Sequence, residues 1–159
     1  MSAATTPDWI NQIKADEHAE SLRAALKEQT KSAAMLRVDA AAPEFFANLI
    51  RELHLTVAAL GEISLRGSIC PLGAGSQQGA RIEVGLNDMI PRHTWTNIFY
   101  TKGEAAIAVL TLEGNMPSLA FAVSTNGTVG VLAGSSFEVL DCRSTAELIV
   151  KRMVQIVKS

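Results

Sequence analysis

The sequence predicts an α+β fold: an antiparallel sheet of about six strands in meander order, packed with a preceding helix and a C-terminal helix, plus a long polar N-terminal helix. Three observations carry this. The apolar period changes from three and four to two near Leu65, and returns to the helical period after Cys142. Turn signals cut the region between into short runs. The connections between those runs are too short for a parallel crossover, which needs roughly a dozen residues, so neighbouring strands must be antiparallel. A chain of 159 residues, 48% hydrophobic and 19% charged, can bury about two-thirds of its unfolded surface without disulfides or metal. The expected division is a helical extension over 1–39 and a single α+β domain over 40–159.

From Thr6 to about Arg37 the chain is rich in Ala, Glu, Lys, Gln and Leu, and Pro7 suits the first helical position after a Thr cap. These residues predict a long helix. Its apolar residues Trp9, Ile10, Ile13, Leu22, Leu26 and Leu36 are too sparse and irregular for a core face or a sustained heptad seam. "DAAAP" (39–43) is expected to interrupt it, because the residue before proline is biased away from the helical region. A second helix is expected from Pro43, with Phe46, Leu49, Ile50, Leu53, Val57 and Leu60 on one face and Gly61 at its end.

Strands are predicted near 64–70, 80–87, 93–101, 105–112, 118–124 and 128–133, with a further edge piece around Phe137–Leu140. Asn126-Gly127 predicts a type I′ hairpin turn, which takes positive φ at both central residues. "TKGE" and "EGNMP" are further turns. "PLGAGSQQGARIEVG" (71–85) has glycines enough to raise a phosphate loop. Its second half, from Arg81 on, alternates as a strand, and no Lys-Ser or Lys-Thr pair stands after the glycines, so the loop reads as a hairpin connection. The fourth and fifth predicted strands carry Ala106, Ala108, Ala120 and Ala122 on one face and Ile107, Val109, Leu119, Phe121 and Val123 on the other, which predicts cover on both sides. "STAELIVKRMVQIVKS" (144–159) predicts the closing helix, with Ser144 and Glu147 as a capping box and Lys151, Arg152 and Lys158 suited to its negative end.

Composition narrows function. A net charge of −2 offers no field for nucleic acid or an anionic membrane, so neither partner is expected. The start has no basic segment followed by an apolar one, and no window holds about 18 apolar residues, so a cytoplasmic protein is expected. Cys70 and Cys142 then read as reduced, semi-buried thiols, and "NGT" (126–128) as a turn. His18, His54 and His93 sit at no metal-ligand spacing, and Asp16, Glu17 and Glu20 read as a solvated helix face, so neither metal nor cofactor is expected. Cys70 with His54 is the one nucleophile pairing to consider, as a remainder.

The most suggestive set lies on the second and third predicted strands. Alternation puts His93, Trp95, Asn97 and Phe99 on one face, and Arg81 and Glu83 on the polar face of the strand beside it. If these faces coincide, Arg81, Glu83, His93, Trp95 and Asn97 form one contact surface; if Trp95 and Phe99 face the core, with Thr94, Thr96 and Tyr100 in water, they do not. The expected function is a non-catalytic interaction or scaffold domain, self-associating through the N-terminal helix or binding a partner protein. The alternative is a small-molecule-binding domain, its ligand between the alanine-paved face and a covering helix.

Overall fold

The computed structural model describes residues 6–73, 75–86, 92–115, 117–134 and 137–159, with the backbone alone at 30–32 and 115. The predicted end of the second strand at Asn87 and the Met116 position of the "EGNMP" turn lie outside the described residues. The chain forms two units, Met1–Leu36 and Arg37–Ser159.

The first helix, α1, runs from Asp8 to Ala58 without the expected break at 39–43. Pro43 removes one helical hydrogen bond and crowds the preceding turn, an effect of about 3 kcal/mol. Burial of Val38 and Ala42 upstream, and of Phe45, Phe46, Leu49, Leu53 and Val57 downstream, offsets it: the apolar stripe starts before the proline and holds the pre-proline turn helical. The helix tightens into a 3₁₀ turn, Ala59–Ile63, and ends at Ser64 in the left-handed region (φ 60°), not at Gly61.

Among the described residues the second unit carries seven antiparallel strands: β1 (Leu65–Leu72), β2 (Gln77–Leu86), β3 (His93–Thr101), β4 (Ala106–Thr111), β5 (Gly114–Asn115), β6 (Leu119–Val123) and β7 (Val129–Leu132). Their order is β1-β2-β3-β4-β6-β7, with the two-residue β5 beside the end of β4, so the meander keeps chain order. The glycine loop is the β1–β2 hairpin, in which Gly73 and Gly75 take positive φ. The β6–β7 turn differs from the expected type I′. Only Gly127 has positive φ; Gly127 N–H donates to Ser124 O and Ser124 N–H to Thr128 O, a three-residue loop with glycine in the bulge position. Asn126 Oδ1 accepts from the Thr128 N–H and the Ser124 hydroxyl, which holds Asn126 out of the left-handed region. Beyond β7, Leu140 makes a two-hydrogen-bond bridge to Val131, while Phe137 stays exposed.

One face of the sheet is dry. Ala80, Ile82, Val84, Ile98, Tyr100, Ile107, Val109, Leu119 and Val131 pack with the α1 stripe and with Ala146, Ile149, Val150, Met153 and Val157 of α2 (Cys142–Lys158) in one core. Phe46, Tyr100, Phe121 and Phe45 link the layers through successive ring contacts of 5.7–5.8 Å. Both helices therefore serve the same face. The expected cover on both sides is not met: Ala108 and Ala120 are exposed, because the alanine stripes point away from the helices.

The α2 cap also differs from expectation. Asp141, in extended backbone, caps the helix by accepting from the Ser144 N–H at 2.7 Å, and Glu147 pairs with Arg143 instead of closing a capping box. The Ser144 backbone N–H, and then its hydroxyl, hold the Asp141 carboxyl below the usual carboxylate range. Asp141→Ala is expected to lower stability by about 1 kcal/mol at neutral pH. Because the folded-state value is depressed, the cap's contribution is complete above the unfolded value near 4 and fades as pH falls through the folded one. Urea unfolding of both proteins across that range checks it; a difference that persists unchanged in acid would refute the carboxylate cap.

Candidate functional site

The helix-free face of the sheet is built by strand alternation and register. β2 pairs β3 with Arg81 opposite Asn97, Glu83 opposite Trp95 and Gly85 opposite His93, so all five expected residues lie on one face. Thr94, Thr96 and Tyr100 point the other way, into the core. Across the neighbouring strands the same face continues through Cys70, Ser68 and Arg66 of β1, which pair with Arg81, Glu83 and Gly85. On the other side it continues through Leu110 and Ala108 of β4, which pair with Asn97 and Phe99.

Three of the five residues form a fixed group. The Arg81 Nε–H donates to Asn97 Oδ1 at 2.9 Å, and the guanidinium carbon stands 4.5 Å from the centroid of the Trp95 ring. A planar guanidinium laid on an indole gains from the ring's negative face, while the bond to Asn97 removes rotamer freedom in advance of any contact. Asn97 is buried although it lies on the open face, because the ring and the guanidinium cover it. Beside the group, Phe99 lies over Gly79, where a Cβ would come within 2.7 Å of its ring, so the glycine seats the aromatic flat on the sheet. Leu110 is 40% and Leu112 50% exposed, and the Leu112 N–H donates to the Trp95 carbonyl.

Glu83 and His93 lie apart from that group on the same face. They line a cleft of about 330 Å³ with Arg66, Ser68 and Gly85. Sequence reasoning missed Arg66 and Ser68, though the alternation of β1 was signal enough. It also missed Leu110 and Leu112, which continue the alanine side of β4.

The nucleophile pairing is not assembled. Cys70 lies on the open face of β1, whereas His54 is an exposed residue of α1, the helix that covers the opposite face. Both thiols are free, and Cys70 is exposed, not semi-buried as expected, because the edge strand has no helix above that side. Cys142 lines a second hollow, of about 590 Å³, with Phe45, Asn48 and Arg51. Its thiol donates to the Phe45 carbonyl at 3.3 Å, and burial pushes it up to about 11, so it stays un-ionised at neutral pH. Among the described residues no three of His, Cys, Asp and Glu cluster as metal ligands, and no helix is long and apolar enough to cross a membrane.

The fold and face together define an α+β meander protein with both helices on one side of its sheet and an aromatic–cationic surface on the other. Comparison with family models, with curated proteins and with solved structures finds no match to this chain.

Proposed function

We propose that this chain is a non-catalytic interaction protein that meets a partner protein through the helix-free face of its sheet and associates with a second copy through residues 8–36. The observation that carries the first part is the Arg81 side chain held between Asn97 and the Trp95 ring amid Phe99, Ala108, Leu110 and Leu112. Tryptophan and arginine supply much of the energy of protein contacts, and side chains already fixed lose less entropy when a partner arrives. The cytoplasm is the compartment that suits two free thiols, one of them exposed.

Native mass spectrometry of the protein purified gently from its own cells tests this. The expected result is a complex with a second protein that Trp95→Ala or Arg81→Ala weakens by about 2 kcal/mol, roughly 30-fold, with circular dichroism unchanged. A chain that retains a small molecule and no protein would overturn the reading in favour of ligand binding.

A further inference from the structure

We infer that Arg81 receives a carboxylate carried on an apolar body, in the partner protein an internal Glu or Asp side chain with apolar residues before and after it. The inference rests on the reading of the helix-free face as a contact surface and adds the chemistry of what meets it. Register lays this face out in rows across the strands. One row holds Ser68, Glu83, Trp95 and Leu112, the next Cys70, Arg81, Asn97 and Leu110, and the next Leu72, Gly79, Phe99 and Ala108. Arg81 therefore stands inside the array, half-buried, with Trp95 and Leu112 in the row on one side and Phe99 and Ala108 in the row on the other.

The guanidinium is only partly used. Its Nε–H donates to Asn97 Oδ1 at 2.9 Å and its carbon lies 4.5 Å from the centroid of the Trp95 ring, while among the described residues no acceptor meets Nη1 or Nη2. Those two nitrogens carry parallel N–H groups, the fork that grips both oxygens of a carboxylate. The acid at hand is Glu83, two residues along β2 and on the same face, yet it makes no ion pair with Arg81 and lines the cleft with Arg66, Ser68 and His93. A free arginine would swing to such a neighbour. The bond to Asn97 and the stack on Trp95 hold this one in place with its fork unoccupied.

The surroundings choose among anions. A phosphate dianion calls for more than one cation, and the side chains around Arg81 supply no second one. Across the strands stand Cys70 and Asn97; along β2 stand Gly79 and Glu83; Arg66 pairs with Gly85, four residues further on. Glu83 also repels a second negative charge. A single planar fork suits a single planar carboxylate. Because apolar side chains stand in the rows on both sides of Arg81, the chain that brings the acid has contacts to make in both directions, which an internal residue offers and a chain end does not.

Nuclear magnetic resonance titration of the full-length protein, read at the Arg81 Nε–H and the Trp95 indole N–H, tests the inference. The probes are acetyl-Leu-Glu-Leu-amide, its glutamine counterpart, the glutamine peptide with a free C-terminal carboxylate, and inorganic phosphate. The glutamate peptide is expected to shift both signals with a dissociation constant of about 1 mM, and the glutamine amide to bind at least about fivefold more weakly. Arg81→Lys keeps the charge but loses the fork and should weaken the glutamate peptide by about fivefold or more, whereas Glu83→Gln removes a repulsion and should tighten it about threefold. Equal binding of the glutamate and glutamine amides, or full binding by Arg81→Lys, would overturn the inference. So would tighter binding of phosphate or of the free chain end. A protein partner that Trp95→Ala weakens, alongside peptides that bind alike, would leave the contact reading standing and overturn the carboxylate alone. A glutamate peptide that binds at Arg81 when no protein partner is found would leave the carboxylate site standing and overturn the contact reading.

Discussion

Replacing Leu49 with alanine is expected to lower the unfolding free energy by about 3 kcal/mol, the middle of the range for a buried leucine whose cavity does not collapse. Leu49 is wholly buried, in the middle of the α1 stripe that runs from Val38 to Val57. That stripe is what holds the helix continuous through Pro43, so loss of the side chain removes apolar contact and also weakens the offset to the proline. The site lies on the other face of the sheet, so far below the melting temperature the variant should keep the surface of Arg81, Trp95 and Asn97. Leu55, on the same helix and 62% exposed, serves as the control, and Leu55→Ala should change stability by less than about 0.5 kcal/mol. Urea unfolding is the measurement. A shift in midpoint at unchanged slope is expected for Leu49→Ala, and a loss below about 1 kcal/mol would mean that the helix is not close-packed on the sheet.

The strands were legible because a pleated ribbon alternates its side chains, and from Leu65 to Leu132 the alternation is strong enough to place every strand within a few residues except the two-residue β5, which falls inside the expected "EGNMP" turn. The same alternation grouped Arg81 with Glu83, and His93 with Trp95 and Asn97; register then brought the two sets onto one face. What alternation cannot tell is which face the helices choose. Thr94 and Thr96 are polar and yet buried on the helix side of the sheet, the Thr94 hydroxyl donating to the exposed Glu113 at 2.5 Å, while Leu110 and Leu112 are apolar and stay half in water. The unforeseen features at element ends have local causes. Asp141 lies three residues before Ser144 and reaches the backbone N–H there, so the helix starts earlier than the serine suggested. Asn126 bonds within its own turn and leaves the positive φ to Gly127 alone. Pro43 was outvoted by burial on both sides of it.

Gly130→Ala is expected to destabilise the second unit by about 3 kcal/mol, a large effect for a single methyl group. The position does not demand glycine for its backbone angles, since Gly130 is not among the glycines of positive φ. The constraint is space: a Cβ there would stand 2.3 Å from the Leu140 carbonyl oxygen and 2.6 Å from Val139 Cγ1. The nearer of these is backbone, which cannot swing aside as a long side chain can. The strain must therefore be released by moving residues 139–140 away from β7, and the bridge between Val131 and Leu140 is the contact at risk. Leu140 leads directly into the Asp141 cap, so the start of α2 would loosen with it, whereas the Arg81–Asn97–Trp95 group on β2 and β3 should be spared. Hydrogen exchange separates this from a general loss of stability. The amides of Val131 and Leu140, and of Ser144 at the cap, should lose protection well before those of β2 and β3. Equal loss across the sheet would show that the glycine supports the whole core, and no loss at all would show that the segment after β7 yields without resistance.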